Sequence, residues 1–292
     1  MCPKKKYTVG ELLKSLKERL EAEKIENVSG NAEAILGKAA NLDRTEIFLN
    51  MDLDLALNEV NKAERYLKRR LRGEPLQYIM GETEFYGVPL LVDERVLIPR
   101  PETELLVEWA LETIAPLKTP RILDVGTGSG AIAVALAANH PDCEVFAFDK
   151  SLNALNLAAG NSRMNDVREQ IQFVVGDLFK EDFINSVGSN FDLVACNPPY
   201  IATNEMDNLQ TEIREYEPRS ALTDEADGLQ FYRRLVKVVP RLCKDGGWVM
   251  VETAELRGHE TLKIMQAVLP DAELRNDLAG KPRVVGGKYR KT

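Results

Sequence analysis

The first quarter of the chain alternates apolar and polar positions with the period of an α-helix. Its first segment has apolar side chains at three- and four-residue intervals, namely Val9, Leu12, Leu13, Leu16 and Leu20. Thr8 and Glu11 stand at the spacing of a capping box at the start of that segment. Residues 32–40, 45–50 and 57–72 repeat the helical spacing. The pattern predicts a helical bundle as an N-terminal domain over residues 1–73.

A different pattern occupies residues 74–99, where glycine and proline interrupt short stretches rich in β-formers. Thr83-Glu-Phe-Tyr86 and Leu90-Leu-Val92 flank Gly87 and Pro89, which predicts a β-hairpin linker. Pro101, followed by two nearby glutamates, then favours a helix start, because proline fits the first turn and carboxylates suit the positive end of a helix.

From residue 120 onward, apolar strand-like runs alternate with helical segments. Strands are predicted over 121–125, 144–148, 171–175, 191–196 and 248–251, and helices over 131–139, 152–165, 229–242 and 259–269. This alternation predicts an α/β fold with a doubly wound, mostly parallel sheet over residues 100–292. Ligands of such sheets bind beyond the carboxyl ends of the strands. Residues that bind a ligand or take part in catalysis are therefore expected at those ends.

A glycine-rich turn follows the first of these strands. The candidate cofactor residues in it are Gly126, Thr127, Gly128, Ser129 and Gly130. Glycine lets the backbone approach a ligand closely, and Asp149, at the next strand end, can accept hydrogen bonds from both hydroxyls of a ribose. The turn also satisfies the dinucleotide fingerprint, so alone it does not separate NAD from S-adenosylmethionine. Asp177 and Leu178 end the third strand and are candidates for contact with an adenine.

The tetrapeptide Asn197-Pro198-Pro199-Tyr200 closes the apolar run 191–196. Its two prolines lack a backbone N–H and fix φ, so the carbonyls of Asn197 and Pro198 are held as acceptors. Tyr200 offers a flat face against a planar group. Together with the glycine turn, this tetrapeptide indicates methyl transfer to a planar nitrogen. Gly130 supports the same choice, because a small amino-acid carboxylate fits there better than a pyrophosphate.

Composition and charge limit the partners. The chain has 292 residues, 44% of them hydrophobic and 29% charged, and a net charge of −8. Residues 1–80 carry a net +2 and the remainder −10, which argues against direct DNA binding by the larger domain. The basic segment 62–72 fits either the solvated face of an amphipathic helix or a docking surface for an RNA-bound or acidic partner.

The sequence contains few features that indicate a cellular location or a metal site. No run of eighteen apolar residues and no apolar signal core occurs, so we expect a cytoplasmic protein without a membrane span. Two histidines give little material for a metal site, and none is expected. Reduced thiols are expected for the cysteines, which are Cys2, Cys143, Cys196 and Cys243.

Several motifs in order resemble the HemK/PrmC family of protein-(glutamine-N5) methyltransferases. They are Gly73-Glu-Pro-Leu-Gln-Tyr-Ile79, Ile98-Pro-Arg-Pro-Glu-Thr-Glu104, the segment 124–132, Asn197-Pro-Pro-Tyr-Ile201 and Tyr216-Glu-Pro-Arg-Ser-Ala-Leu222. The resemblance implies that S-adenosylmethionine is the cofactor and that the substrate is the glutamine of the Gly-Gly-Gln motif in class-1 peptide chain release factors. It also implies substrate recognition by the N-terminal helical domain.

The resemblance further assigns the site residues. The cofactor loop maps to Gly126–Gly130, the ribose carboxylate to Asp149 and the adenine side to Asp177 and Leu178, with Arg100–Thr103 near cofactor and substrate. As the catalytic hypothesis, the carbonyls of Asn197 and Pro198 each accept one N–H of the glutamine amide, and Tyr200 packs against the amide plane. A monomer is expected.

Two other interpretations remain open at this point. An N-methyltransferase for the exocyclic amine of adenine or guanine in DNA or RNA would need the same tetrapeptide, because that amine poses the same geometric problem. If the protein were instead a non-enzymatic adaptor that binds a nucleotide and a partner, the tetrapeptide 197–200 would have no catalytic role.

Overall fold

A computed structural model describes residues 7–291, so Cys2 lies outside the described residues. The chain forms two compact units. The first ends at Gly81 and also includes the separate segment Thr211–Tyr216, and the second comprises Glu82–Gln210 and the chain from Glu217 onward. The domain boundaries expected from the sequence, at 73/74 and 99/100, stay a prediction.

The helices are, in chain order, α1 Val9–Ala22, α2 Val28–Ala40, α3 Arg44–Leu49, α4 Leu57–Arg70, α5 Leu76–Met80, α6 Glu104–Ile114, α7 Ala131–Asn139, α8 Leu152–Met164, α9 Phe183–Val187, α10 Thr211–Tyr216, α11 Arg219–Leu222, α12 Gln230–Leu242 and α13 Gly258–Met265. Short 3-10 turns cover Pro101–Thr103, Arg168–Gln170, Thr203–Asn208 and Glu255–Arg257. The strands are β1 Glu82–Phe85, β2 Val88–Leu91, β3 Arg121–Val125, β4 Glu144–Asp149, β5 Ile171–Val175, β6 Phe191–Cys196, β7 Cys243–Glu252, β8 Glu273–Asn276 and β9 Pro282–Lys288.

The first unit is the helical bundle that the apolar spacing predicts. The expected capping box is confirmed, because Thr8 Oγ1 accepts the N–H of Glu11 and the Glu11 carboxylate accepts the N–H of Thr8. The apolar face of α1 is buried and packs in one core with side chains from α2, α3 and α4. Helix formation here follows from burial of this face rather than from propensity alone.

Arg70 explains why the distant segment 211–216 belongs to the first unit. Its guanidinium is buried, with Nε donating to Asn31 Oδ1 at 2.7 Å and Nη2 donating to Glu212 Oε1 at 2.6 Å. The hydroxyl of Tyr216 also donates to the backbone carbonyl of Arg72 at 2.9 Å. Arg70 is therefore buried within this unit, whereas Arg65 and Lys68 are exposed on α4 and Arg72 is exposed just beyond the end of α4.

The second unit is built on a seven-stranded sheet with the order β5-β4-β3-β6-β7-β9-β8. Strands β3 to β7 run parallel, and β9 pairs antiparallel with β7 and β8. The doubly wound, mostly parallel sheet is thus confirmed, and the order reverses between β3 and β6, where ligands of such folds bind. The two strands β1 and β2 form a separate antiparallel hairpin, as their pattern predicts.

Several elements differ from the sequence expectation. The acidic segment 201–228, for which the sequence pattern predicts no helix or strand, contains a 3-10 turn and the helices α10 and α11. Strand β7 begins five residues earlier than its apolar run, and β8 and β9 are absent from the prediction. Strand β8 is a four-residue edge strand, and two glycines interrupt the apolar pattern of β9, which lies between β7 and β8. None of the helices within residues 7–291 combines the length and the apolar character that a membrane span requires.

Candidate active site

The carboxyl ends of β3, β4, β5 and β6 open into one cavity of about 920 Å³. Its lining combines the loop after each of these strands with the segments 94–100 and 218–225. The predicted site residues that line it are Gly126, Thr127, Gly128, Ser129, Asp149, Asp177, Leu178, Asn197, Pro198 and Pro199. The fold therefore gathers signals that lie up to about seventy residues apart in the sequence, because parallel strands end at the same edge of a sheet.

The glycine turn needs glycine for conformational reasons. Gly126, Gly128 and Gly130 have φ angles of 76°, 56° and 82°, in the left-handed region that disfavours other residues. A Cβ on Gly126 would meet no described atom within 4 Å, whereas one on Gly130 would come within 3.0 Å of the Ala158 side chain. Gly126 thus leaves open space in the cavity, and Gly130 allows close helix packing where α7 begins.

Asp149 joins the glycine turn to the end of β4. One carboxylate oxygen accepts the backbone N–H of Gly128 at 2.9 Å, and the other accepts the backbone N–H of Ser151 at 2.8 Å. Each oxygen retains a second lone pair. The carboxylate can therefore accept hydrogen bonds from a vicinal diol while its position is fixed by the backbone.

Asp124 lies beneath the turn and is fully buried. The hydroxyl of Thr127 donates to one of its oxygens at 2.6 Å, and the other oxygen has no hydrogen-bond partner among residues 7–291. Burial raises the pKa of Asp124 to about 7, and the Thr127 hydrogen bond opposes part of this rise. The Thr127 side chain therefore ties the turn to the buried Asp124, and Thr127 also lines the cavity.

The residues after β5 form one wall of the cavity. Asp177 accepts the backbone N–H of Phe179 at 2.9 Å and so caps its own turn, while the backbone carbonyl of Leu178 accepts Arg234 Nε at 2.8 Å. Phe179 is 43% exposed and meets Phe231 edge to face, with ring centroids 5.0 Å apart. Both residues line the cavity. They supply an aromatic face that the sequence analysis did not anticipate.

The side chain of Asn197 is held by a residue far away in the sequence. Its Nδ2 donates to Thr103 Oγ1 at 3.1 Å, so its carbonyl oxygen points away from Thr103. Pro198 and Pro199 continue the lining. Tyr200 follows them and is partly buried, and its hydroxyl donates to Glu252 Oε1 at 3.2 Å. Burial, followed by the nearby Glu252 charge, raises the pKa of the Tyr200 phenol.

Glu252 is a buried acid that the sequence analysis missed. It ends β7, next to β6, and one of its oxygens has no hydrogen-bond partner within the described chain. Burial raises the pKa of Glu252 to about 7, while hydrogen bonds from Thr103 and Tyr200 act in the opposite direction. The available sequence signal was an acidic residue directly after the apolar run Trp248-Val-Met-Val251.

An ion pair supports the wall formed by the segment 94–100. Arg100 lines the cavity, and its Nη2 donates to Glu217 Oε1 at 2.6 Å. The Glu217 side chain is only 2% exposed, so this pair ties two distant segments together. Within residues 7–291 no group of three or more His, Cys, Asp or Glu side chains is arranged to hold a metal ion.

Comparison with known proteins identifies two matching families of domain. Residues 11–81 match the PrmC N-terminal domain, and residues 101–217 match the methyltransferase small domain. Among solved structures, the hMettl16 catalytic domain in complex with MAT2A 3'UTR hairpin 1 has a TM-score of 0.55 and 15% sequence identity, covering 95% of this chain and 91% of that one. At this identity the likeness shows a shared fold only.

Curated relatives extend the similarity over nearly the whole chain. The release factor glutamine methyltransferase of Chlorobaculum tepidum is 39% identical over 95% of this chain and 96% of its own length. The protein of the same name from Geobacter sulfurreducens is 38% identical over 97% of each chain. These relatives confirm the resemblance inferred from the motifs, and the chain belongs to the release factor glutamine methyltransferase family.

Proposed function

We propose that this protein transfers a methyl group from S-adenosylmethionine to the side-chain N5 of the glutamine in the Gly-Gly-Gln motif of class-1 peptide chain release factors. The observation that carries the proposal is the orientation of Asn197. Its amide nitrogen is bound by Thr103, and its carbonyl is left as an acceptor in the same cavity as the glycine turn and Asp149. Family membership supports the choice of a glutamine amide over a nucleic-acid base.

The residues present fit S-adenosylmethionine. The open space at Gly126 and the N–H groups at the start of α7 suit the amino-acid carboxylate. Asp149 suits the two ribose hydroxyls, and Asp177 with Leu178 lies on the side proposed for the adenine. A cavity of about 920 Å³ is at the upper end of the usual range for small-molecule sites. It therefore has room for the cofactor and for a side chain of the substrate.

The chemical demand on the protein is mainly one of orientation. The bound cofactor supplies an electrophilic methyl group on a positively charged sulfonium. A carboxamide nitrogen is a weak nucleophile because its lone pair is delocalised. We propose that the carbonyls of Asn197 and Pro198 each accept one N–H of the glutamine amide, which aligns the nitrogen and favours positive charge on it.

The remaining residues of the tetrapeptide have supporting roles in this proposal. Pro199 continues the cavity wall, and Tyr200 packs against the amide plane. Since the Tyr200 hydroxyl is bound to Glu252, its ring orientation is fixed before substrate arrives. The proposed partner also implies a cytoplasmic location, where release factors act on ribosomes.

Labelled methyl transfer tests the proposal directly. The full-length protein is incubated with methyl-labelled S-adenosylmethionine and, separately, an intact release factor, a release factor with Gln replaced by Ala in Gly-Gly-Gln, and DNA or RNA. We expect label on the intact release factor alone, at the glutamine by peptide mass spectrometry. Label on the Ala variant or on nucleic acid would contradict the proposal.

A further inference from the structure

The amide of Asn197 has two orientations that differ by exchange of its oxygen and nitrogen. Only one of them presents the carbonyl to a substrate N–H. A threonine hydroxyl does not discriminate between the two by itself, because it can both donate and accept. Some other group must therefore fix the direction of the hydrogen bond between Asn197 and Thr103.

Glu252 is suited to fix that direction. An ionised carboxylate only accepts hydrogen bonds. Tyr200 donates to Glu252 Oε1 at 3.2 Å, Glu252 Oε2 has no hydrogen-bond partner within the described chain, and the Thr103 side chain lies beside this carboxylate. When the Thr103 hydroxyl directs its hydrogen towards Glu252, its oxygen is left to accept the N–H of Asn197. The distance from Asn197 Nδ2 to Thr103 Oγ1 is 3.1 Å. The Asn197 carbonyl is then the only end of the amide free for the substrate.

We propose that Thr103 and Glu252 are positioning residues that set the orientation of the Asn197 amide through a one-way chain of hydrogen bonds from Asn197 to Thr103 to the Glu252 carboxylate. This inference rests on the proposed function of Asn197 as acceptor for the glutamine amide. Neither residue needs to touch the substrate. Their effect reaches the substrate through the Asn197 side chain alone, so mutation of Thr103 or Glu252 can separate it from direct contact with the substrate.

Protonation of Glu252 removes the directing effect. A protonated carboxyl can itself donate, so the Thr103 hydroxyl becomes free to donate to the Asn197 carbonyl and stabilise the other orientation. The charged and titratable groups near Glu252 are Glu102, Arg283, Tyr200, Tyr232 and Cys196. Glu102 favours the protonated form and Arg283 the ionised one. With a pKa of about 7 for Glu252, turnover should rise as pH increases through neutrality.

Thr103→Val, Thr103→Ser and Glu252→Gln test the relay in release-factor methylation from about pH 5.5 to about pH 9. We expect Thr103→Val and Glu252→Gln to lower kcat on the order of 10-fold to 100-fold, with little change in cofactor Kd. Both should lose the rise of kcat with pH, and Thr103→Ser should restore it. Thr113→Val is the matched control, since the Thr113 hydroxyl bonds only to the Trp109 carbonyl in its own helix α6.

A purely structural role would lower activity without removing the pH step. Thermal unfolding of each variant identifies any that fail to fold. If Thr103→Val does not fold, Thr103→Ser keeps the test decisive. Retention of wild-type kcat and of the pH step in Thr103→Val or Glu252→Gln would overturn the inference.

A readout independent of activity separates this inference from the proposed function. In the nitrogen-15 NMR spectrum of the free protein, the Asn197 side-chain NH₂ signals should shift with a midpoint near neutral pH and stay constant in Thr103→Val and Glu252→Gln. A constant signal in the wild-type protein would refute the relay even if release factor is methylated. A shifting signal without methylation would support the relay and refute the proposed function.

Discussion

The carboxylate of Asp149 accepts the backbone N–H of Gly128 at 2.9 Å, which couples the end of β4 to the glycine turn after β3. Its second oxygen accepts the N–H of Ser151 at 2.8 Å, one residue before α8 begins. The same side chain thus fixes the turn and offers its remaining lone pairs to the cavity. A cofactor diol bound there would meet an acceptor that needs no reorganisation.

Asp149→Ala should weaken binding of S-adenosylmethionine on the order of 100-fold. Two hydrogen bonds to a charged acceptor are lost, each worth about 1.5–3 kcal/mol, and water replaces part of that energy. Isothermal titration calorimetry measures the effect. Asp142→Ala is the control, because Asp142 is exposed and precedes the same strand. An unchanged Kd in Asp149→Ala would rule out the diol contact.

Asn197→Ala should reduce turnover far more than cofactor affinity. The variant removes one of the two acceptors proposed for the glutamine amide, and loss of such a preorganised group costs on the order of 10² in kcat. Single-turnover methylation and cofactor titration on the same sample separate the two effects. The exposed Asn208, replaced by Ala, serves as control. Wild-type turnover in Asn197→Ala would refute its role.

The sequence predicts those site residues whose placement follows from their position directly after a strand. The glycine turn, Asp149 and Asn197 each follow an apolar strand directly, and that position alone brings them to one edge of a parallel sheet. Their side-chain partners depend on long-range topology instead. Thr103 lies 94 residues from Asn197, and Glu252 lies 52 residues from Tyr200.

The same distinction explains the errors in the predicted fold. Pairing of β6 with β7 and addition of β9 beyond it are not encoded in any local period. Helix α10 is attached to the first unit through the buried Arg70. The helical pattern of α4 places Arg70 in a basic segment but does not indicate that Glu212 is its partner.

Phe179→Ala should weaken cofactor binding on the order of 10-fold. Phe179 is 43% exposed, lines the cavity and packs edge to face against Phe231. Stacking of a base on an aromatic ring is worth about 1–3 kcal/mol. Phe48→Ala is a matched control, because Phe48 is 48% exposed and belongs to the first unit. Equal Kd values for both variants would argue against an adenine contact at Phe179.

Gly228→Ala should destabilise the protein more than Gly246→Ala, although both glycines have nearly the same positive φ, 80° and 77°. A Cβ at Gly228 would lie 2.3 Å from the backbone carbonyl oxygen of Tyr200, whereas one at Gly246 meets no described atom within 4 Å. Backbone strain of about 1–2 kcal/mol is common to both, and the clash adds about 1–3 kcal/mol at Gly228.

Urea unfolding of the two glycine variants measures this difference. Displacement of the Tyr200 carbonyl should also move the tetrapeptide that begins at Asn197, so kcat should fall in Gly228→Ala and stay unchanged in Gly246→Ala. Equal free energies of unfolding would mean that the loop accommodates the extra methyl group.

Glu252 should make the free energy of unfolding decrease between about pH 4.5 and pH 7. Its pKa is raised from an ordinary 4.5 to about 7 in the folded state, chiefly by burial. Below this window the carboxyl is protonated in both states. As pH rises, the unfolded chain releases its proton first, and stability falls until the folded form ionises as well. The full loss is ~3 kcal/mol.

Glu252→Gln should remove this part of the pH dependence, as measured by urea unfolding at several pH values. Part of the decline should persist, because burial also raises the pKa of Asp124 to about 7. The exposed Glu169, replaced by Gln, is the control. Since ionised Glu252 costs stability yet directs Thr103, Glu252→Gln should be more stable than wild type above neutral pH and slower in turnover. Parallel stability curves for the variant and the wild type would contradict the assignment of a buried, ionisable Glu252.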